Sequence, residues 1–230
     1  FMAAIEMIHT SSLVHDDLPC MDDDMMRRGK ASTWAEYGED MGVLAGDALM
    51  IYAFEVAAKA FNEVSEADDL KRVGRAIEIL AAKTGIYGMI GGQTVDVELS
   101  GGPIPKDKLD FIYRLKTGAL IEASMLIGAV LGGAAEEDCK IVESLAGKVG
   151  LAFQIQDDIL DVTSTEEELG KPIHSDEKNH KTTYVTLMGI EKASQQVKKL
   201  SDEAVTLLEG LNKKNEFLFT LVNELVGRRK

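Results

Sequence analysis

Cysteine, proline and positive charge are all scarce in this sequence. Its 230 residues include 2 cysteines and 4 prolines, and 25 basic residues stand against 39 acidic ones, which gives a net charge of −14. Two cysteines, Cys20 and Cys139, are too few for a disulfide framework, so we expect a reducing compartment, the cytoplasm. An acidic chain of this kind is a poor partner for nucleic acid or for an anionic membrane surface.

Long uncharged apolar runs are also missing. The longest, Ala123 to Ala135, is shorter than the ~20 residues that a membrane-spanning helix needs, so no span is predicted. No basic segment followed by an apolar one opens the sequence, and no signal peptide is expected. The residues from Phe1 onward have the composition of the middle of a helix, so we expect earlier segments to precede them.

The apolar residues that are present recur at intervals of three and four, while alternation with a period of two is nearly absent. This pattern predicts helices throughout. Gly- and Pro-containing breaks separate them. The predicted helices cover residues 1–18, 39–63, 68–99, 105–133, 137–162, 181–210 and 214–228. Long helices in series, with 45% hydrophobic residues, predict an all-α bundle forming one domain over residues 1–230.

Two aspartate clusters stand out from this helical background. In each, a pair of aspartates is followed by a third after a short gap. The first cluster contains Asp16, Asp17 and Asp22, and the second contains Asp157, Asp158 and Asp161. Clustered acidic residues are usually a solvated face, but these adjoin apolar helical segments, where carboxylates are costly unless they are paired with cations.

Helical geometry sharpens the second cluster. At about 100° per residue, Gly150, Gln154, Asp157 and Asp161 lie within about 60° of one another, away from the apolar stripe of the same helix. Two such faces opposed in a bundle would line a cavity with carboxylate oxygens. Hard divalent cations prefer oxygen ligands, and Mg²⁺ typically combines one or two carboxylates with substrate phosphates. The isolated cysteines offer no competing zinc site.

Basic residues accompany both clusters: Arg27, Arg28, Lys116, Lys171 and Lys181. They could simply balance charge. Alternatively they bind an anion, since Arg offers phosphate a planar fork and Lys a point charge. Aspartates, a divalent metal and basic residues together describe a metal–diphosphate site. The glycine-rich loops typical of nucleotide binding are absent from the sequence.

These motifs together resemble the trans-isoprenyl diphosphate synthases of the polyprenyl synthetase family, in the farnesyl/geranylgeranyl diphosphate synthase group. The resemblance covers nearly the whole chain. It is carried by Asp16-Asp17-x4-Asp22 with Arg27-Arg28-Gly29, Gly46-Asp47, Gly92-Gln93-x2-Asp96, Lys116-Thr117-Gly118, Phe153 to Asp161, Gly170-Lys171 and Lys181-x-Thr183-Tyr184.

The resemblance implies the isoprenoid synthase fold and a prenyltransferase that condenses isopentenyl diphosphate with an allylic diphosphate to give farnesyl or geranylgeranyl diphosphate. Several Mg²⁺ ions would assist ionisation of the allylic diphosphate, before alkylation and proton loss. By resemblance, the metal ligands are Asp16, Asp22 and Asp157, supported by Asp17, Asp158 and Asp161. The residues that would hold the allylic diphosphate are Arg27, Lys116, Lys171 and Lys181. Thr117 and Gln154 would sit beside the allylic cation. Arg28 and His9 would hold isopentenyl diphosphate.

The family also implies a homodimer, and apolar excess on 39–63 and 105–133 suits one. A Gly-Lys-x-x-Arg segment and about three helices that the family has upstream are expected to be missing here. Two other functions stay open at this point. The protein could be a non-catalytic regulatory homologue that partners an active synthase, or a class I terpene cyclase. Small residues before the first aspartate, Ser11 and Ser12, favour a twenty-carbon over a fifteen-carbon product.

Overall fold

The computed structural model describes residues 1–164 and 181–227. They belong to two compact units, residues 1–80 and 81–230. The elements in chain order are α1 (Met2–Asp16), β1 (Met26–Arg27), β2 (Lys30–Ala31), α2 (Thr33–Tyr37), α3 (Glu39–Ala58), a 3₁₀ helix (Lys59–Glu63), α4 (Ala67–Thr84), α5 (Met89–Glu98), α6 (Lys106–Ile112), a π-helix (Tyr113–Gly118), α7 (Ala119–Leu131), α8 (Glu136–Thr163), α9 (Tyr184–Met188), α10 (Ile190–Glu209) and α11 (Glu216–Gly227).

The predicted all-α class is confirmed. The strands of the described residues form a single antiparallel hairpin, in which Met26 pairs with Ala31 and Arg27 with Lys30. This hairpin was not predicted from the sequence, because two-residue strands are too short to produce an alternating pattern.

In the first unit, α1 packs against α3 through small residues. A methyl carbon on Gly46 would lie 2.1 Å from Nε2 of His15, and one on Gly42 would lie 2.9 Å from Leu18. The imidazole of His15 uses this space to approach the carbonyl oxygen of Val43, with Nε2 3.1 Å away. Glycine at residues 42 and 46 therefore allows α3 to lie close to the end of α1, where the first aspartate cluster begins.

In the second unit, α8 is the central helix and packs against α7, α10 and the π-helix. Its apolar face enters two core clusters. One includes Ile112, Ile155 and Tyr184, all buried. The other is built around Leu145 and Val222. The opposite, polar face of α8 carries the second aspartate cluster.

Two predicted helices are divided in the structure. The stretch predicted as one helix over 68–99 consists of α4 and α5, because the chain turns between Gly85 and Gly88. The stretch over 181–210 contains the short α9 and the long α10, separated by Gly189 at φ 79°, a backbone conformation that suits glycine. The predicted 105–133 helix runs as α6, the π-helix and α7.

One run of the described residues, Glu39–Glu63, is long and apolar enough to cross a membrane by length and composition alone. No membrane span was expected from the sequence. Large apolar side chains on this run are exposed, including Leu44 at 60% and Ile51 at 71%. Its buried residues within α3 are the small Gly42, Gly46, Ala53 and Ala57. The apolar surplus of α3 therefore faces outward.

Candidate active site

The first aspartate cluster forms where α1 ends and the chain turns back on itself. The backbone N–H of Asp22 donates to the carbonyl oxygen of Asp16 at 2.9 Å, and that of Asp24 donates to the carbonyl of Asp17 at 3.1 Å. Asp23 adopts a positive φ of 55° within this turn. The turn thus brings residue 22 back beside the last residue of α1.

Asp17 is held differently from its neighbours, since it is 2% exposed and paired with an arginine. Nε of Arg27 donates to Asp17 Oδ1 at 3.0 Å, and a terminal guanidinium nitrogen of Arg27 donates to the same carboxylate. The hydrogen bond with Asp17 raises the pKa of Arg27, outweighing the opposite effect of burial. The resemblance implies that Arg27 holds the allylic diphosphate. In the structure Arg27 also pairs with Asp17 and fastens the hairpin to the end of α1.

The remaining basic residues assigned to substrate lie mostly on the surface. Arg28 is exposed, at a positive φ of 52°, and Lys181 is exposed just before α9. His9 is half-buried on α1, with Nδ1 3.7 Å from a carboxylate oxygen of Glu6. Lys171 lies outside the described residues.

The π-helix carries Lys116 and Thr117 and is packed closely against α5 on one side and α8 on the other. A methyl carbon on Gly92 of α5 would lie 2.3 Å from the amide nitrogen of Lys116, and one on Gly150 of α8 would lie 2.8 Å from Cα of Gly118. Close backbone approach on both sides fixes the segment tightly. Single turns of π-helix within α-helices are frequent at functional sites.

Two contacts orient the side chains of this segment. Nζ of Lys116 donates to Asp96 Oδ2 at 2.6 Å, and Oγ1 of Thr117 donates to Gln154 Oε1 at 2.8 Å. The structure thus brings together Thr117 and Gln154, both predicted to sit beside the cation. Asp96 belongs to the motif Gly92-Gln93-x2-Asp96. Its contact with Lys116 could not be predicted from spacing, because the two residues are twenty positions apart in the sequence.

Asp158 is a junction between three parts of the second unit. The Tyr113 hydroxyl lies 2.9 Å and 2.8 Å from the two carboxylate oxygens of Asp158, and the backbone N–H of Tyr184 donates to Oδ2 at 2.9 Å. The Tyr184 hydroxyl in turn donates to Asp110. Burial raises the pKa of Tyr184, and Asp110 adds to the effect, so this phenol stays a donor at neutral pH.

Burial divides the six aspartates of the two clusters into two classes. Asp17, Asp158 and Asp161 are buried. Asp16 and Asp157 are half-buried and Asp22 is exposed. The division follows the roles that the resemblance implies, with the buried carboxylates as supports and the accessible ones as metal ligands.

The donor set suits magnesium. Among residues 1–164 and 181–227, no three His, Cys, Asp or Glu side chains lie close enough together to hold an ion unaided. Mg²⁺ usually keeps several waters and binds through one or two carboxylates together with substrate phosphates, so it does not need such a cage. Asp16 and Asp22 of the first unit, and Asp157 of the second, each have carboxylate oxygens of the kind that Mg²⁺ prefers, and none of the three is buried.

Comparison with known proteins places these features in a family. Residues 1–218 match the sequence profile of the family described as polyprenyl synthetase. The chain is 43% identical, over 98% of its length, to the heterodimeric geranylgeranyl pyrophosphate synthase large subunit 1 of Arabidopsis thaliana, a chloroplastic protein, and spans 62% of that protein. It is 44% identical to the chloroplastic geranylgeranyl pyrophosphate synthase of Capsicum annuum, over 91% of this chain and 56% of that one.

A geranylgeranyl diphosphate synthase of Cyanophora paradoxa is also 44% identical, over 98% of this chain and 74% of that protein. Among solved structures, the geranyltransferase of Helicobacter pylori complexed with magnesium and isoprenyl diphosphate superposes with a TM-score of 0.83, at 39% identity over 97% of this chain and 72% of that one. With its two aspartate clusters, the π-helix and a profile match over residues 1–218, the chain belongs to the polyprenyl synthetase family.

Proposed function

We propose that the protein is a short-chain trans-prenyltransferase that joins isopentenyl diphosphate to an allylic diphosphate. The observation that carries the proposal is the pairing on the π-helix and α8: Thr117 Oγ1 donates to Gln154 Oε1 at 2.8 Å, next to Lys116. Two polar oxygens are thereby brought together beside a lysine in the sequence, and polar groups of this kind can stabilise the charges that develop when a carbon–oxygen bond breaks. Membership of the family and the names of the relatives support the same activity.

The roles of these side chains follow from their hydrogen bonds. The hydroxyl of Thr117 donates its hydrogen bond to Gln154, so the lone pairs of Oγ1 can face a developing allylic cation. Asp96 keeps Lys116 in place, and the ammonium group of Lys116 can also donate a hydrogen bond to the departing diphosphate. Once the diphosphate has left with the bonding electrons, the double bond of isopentenyl diphosphate attacks the allylic cation, and the new carbocation then loses a proton.

Asp16, Asp22 and Asp157 would hold Mg²⁺, with Asp17, Asp158 and Asp161 as buried supports. When bound, the ion neutralises the charge of the diphosphate and makes it a better leaving group. Arg28, Lys171 and Lys181 complete the proposed contacts to diphosphate, and His9 joins Arg28 at the second substrate. Arg27 also belongs to the residues proposed to bind diphosphate. Its guanidinium has five N–H donors, and only some of them bind Asp17.

We further propose a twenty-carbon product and a homodimer. The geranylgeranyl synthase names of the relatives from Capsicum annuum and Cyanophora paradoxa support the first, and the exposed apolar face of α3 supports the second. The cytoplasm stays our predicted compartment, although the two plant relatives described above are named as chloroplastic proteins.

Incubation with labelled isopentenyl diphosphate and dimethylallyl, geranyl or farnesyl diphosphate, with Mg²⁺ and with EDTA, tests the proposal. A chain-elongating enzyme gives labelled prenyl diphosphates only with the metal. A cyclase would release hydrocarbon without consuming isopentenyl diphosphate, and a regulatory subunit would give no product alone. Asp16→Ala and Asp157→Ala should each lose at least about 10²-fold in turnover. Unchanged circular dichroism would show that the fold is kept, and near-normal turnover of Asp157→Ala would contradict its assigned role.

A further inference from the structure

Tyr113 occupies a position that links the reactive segments of the second unit, yet no role follows for it from the family motifs. It is the first residue of the π-helix, three residues before Lys116. Its hydroxyl lies within 2.9 Å of both oxygens of Asp158. Asp158 is 4% exposed and adjoins Asp157 on α8.

The same carboxylate also fixes the first residue of α9. Oδ2 of Asp158 accepts the backbone N–H of Tyr184 at 2.9 Å, and the rings of Tyr113 and Tyr184 pack with their centroids 5.6 Å apart. Lys181 lies only three residues before Tyr184. One buried carboxylate therefore joins the π-helix, α8 and the first residue of α9. The π-helix and α8 each carry a residue proposed to bind diphosphate or its metal, and Lys181 lies shortly before α9.

We propose that Tyr113 is a positioning residue, whose bond to Asp158 sets where Lys116, Asp157 and Lys181 stand relative to one another. The inference rests on the proposed function, because it concerns the same diphosphate site. A carboxylate can accept about four hydrogen bonds, and Asp158 already accepts from a phenol and an amide in a buried place. Because Asp158 is buried and holds both of these donors, it acts by fixing its neighbours.

Tyr113→Phe removes only the hydroxyl and keeps the ring in the core. The readout is the affinity for inorganic diphosphate in the presence of Mg²⁺, measured by calorimetry, alongside the melting temperature. Loss of an outer hydrogen-bond partner at a metal site typically costs 10- to 100-fold in affinity or activity, and we expect a loss of about that size here. Turnover should fall in parallel.

Tyr184→Phe is the matched control. It also removes a phenol from this cluster, but that hydroxyl donates to Asp110, while the bond from the Tyr184 backbone to Asp158 is kept. We expect a lower melting temperature with diphosphate affinity unchanged within about twofold. If both variants lose stability and neither loses affinity, Tyr113 is only a packing residue and the inference is wrong.

A double-mutant cycle shows whether Tyr113 acts through Asp158. If it does, Tyr113→Phe combined with Asp158→Asn should bind diphosphate about as weakly as Asp158→Asn alone, since coupled residues are not additive. Losses that multiply would overturn the inference. Should Tyr113→Phe not fold, Asp158→Asn carries the test by itself, and wild-type affinity in that variant overturns it. Wild-type protein that binds no Mg²⁺–diphosphate would instead refute the proposed function, and this inference with it.

Discussion

Gly92 of α5 lies so close to the π-helix that a methyl carbon added to it would stand 2.3 Å from the amide nitrogen of Lys116. Backbone on both sides cannot move aside as a flexible side chain could. Gly92→Ala should therefore displace the segment that carries Lys116 and Thr117. We expect a clear fall in melting temperature and at least a tenfold loss in kcat, because small misplacements of reacting groups are expensive.

Gly128→Ala serves as the control for this substitution. Gly128 is an exposed residue of α7, in the same unit, and a methyl carbon there would meet nothing within 4 Å. Replacing a helical glycine by alanine in open space should stabilise the protein by about 0.5–1 kcal/mol without altering turnover. If Gly92→Ala behaved like Gly128→Ala, the close approach would have no functional weight.

Features of the site that depend on residues close in sequence could be predicted, whereas contacts between residues distant in sequence could not. Periodicity predicted the long helices, and the aspartate motifs indicated candidate site residues, because both are local patterns. The π-helix leaves no comparable trace, since Lys116 and Thr117 fit an α-helical register equally well. The contact of Lys116 with Asp96 depends on how α5 docks, which no local spacing shows.

The breaks in the helices illustrate the same limit. Gly85 and Gly88 stand in an apolar segment that continues the helical spacing, so the turn between α4 and α5 was missed. Glycine inside a helical pattern is tolerated at a modest cost, and only tertiary packing decides whether the helix continues. Gly189, at φ 79°, presented the same ambiguity.

Arg27 and Arg28 are adjacent, yet they lie in different surroundings. Arg27 is paired with the buried Asp17, whereas Arg28 is exposed. Arg27→Ala leaves a buried carboxylate without its partner and should lower the free energy of unfolding by about 2 kcal/mol, a figure reduced for the partial exposure of the arginine. Denaturant titration checks this.

Arg28→Ala is the natural comparison for Arg27→Ala. We expect unfolding to change by less than about 0.5 kcal/mol, because exposed substitutions are usually near neutral. Its effect should appear in KM for a diphosphate substrate. Equal destabilisation by the two substitutions would contradict the division of roles.

Lys83, Glu122 and Glu143, all residues of the second unit, form a cluster of ion pairs that should make the stability of the protein fall at alkaline pH. Nζ of Lys83 donates to Glu122 at 2.5 Å and to Glu143 at 2.7 Å, and Glu122 is buried. Burial alone would lower the pKa of Lys83, but the bonds to the glutamates outweigh it and raise the pKa. Lys83→Met should cost about 3 kcal/mol at pH 7, because it leaves Glu122 uncompensated.

A raised pKa fixes the sign of the pH dependence. The contribution of Lys83 is fully present below 10.5, its ordinary pKa, and is lost as pH rises from there through the higher folded-state value. The difference in melting temperature between wild type and Lys83→Met should therefore stay constant from pH 7 to about pH 10 and shrink above it. Lys71→Met, which breaks an exposed pair with Asp68, should show little difference at any pH.

The exposed face of α3 predicts self-association. Met41, Leu44, Ile51 and Tyr52 follow one another at helical spacing and are all exposed. Light scattering at micromolar concentration should show a dimer, and Ile51→Glu should convert it to monomers, since a charge in an apolar interface must be desolvated. Phe217→Glu, a change of equal chemistry at an exposed residue of α11, should leave the dimer intact. Wild-type monomers would refute the prediction.

Product length is the property for which the structure changes the sequence-based hypothesis most. Ser11 was expected to leave a cavity open before Asp16, but it has no accessible surface, and its hydroxyl donates to the carbonyl of Ile8 at 2.8 Å. It lies on the buried face of α1 with Ala4 and Ile8, about 140° around the helix from Asp16.

Ser12 is the better candidate for the position at which the size of the side chain sets product length. It is half-buried, one turn before Asp16, and within about 40° of it around α1. Ser12→Phe should therefore shift the product from twenty carbons toward fifteen, as measured by chromatography of the dephosphorylated prenyl alcohols. Ser11→Phe should instead overpack the buried face and cost about 1–3 kcal/mol of stability, with the product of any folded protein unchanged. A wild-type enzyme that already stops at fifteen carbons, or a Ser12→Phe variant with an unaltered product, would show that the limit is set elsewhere in the fold.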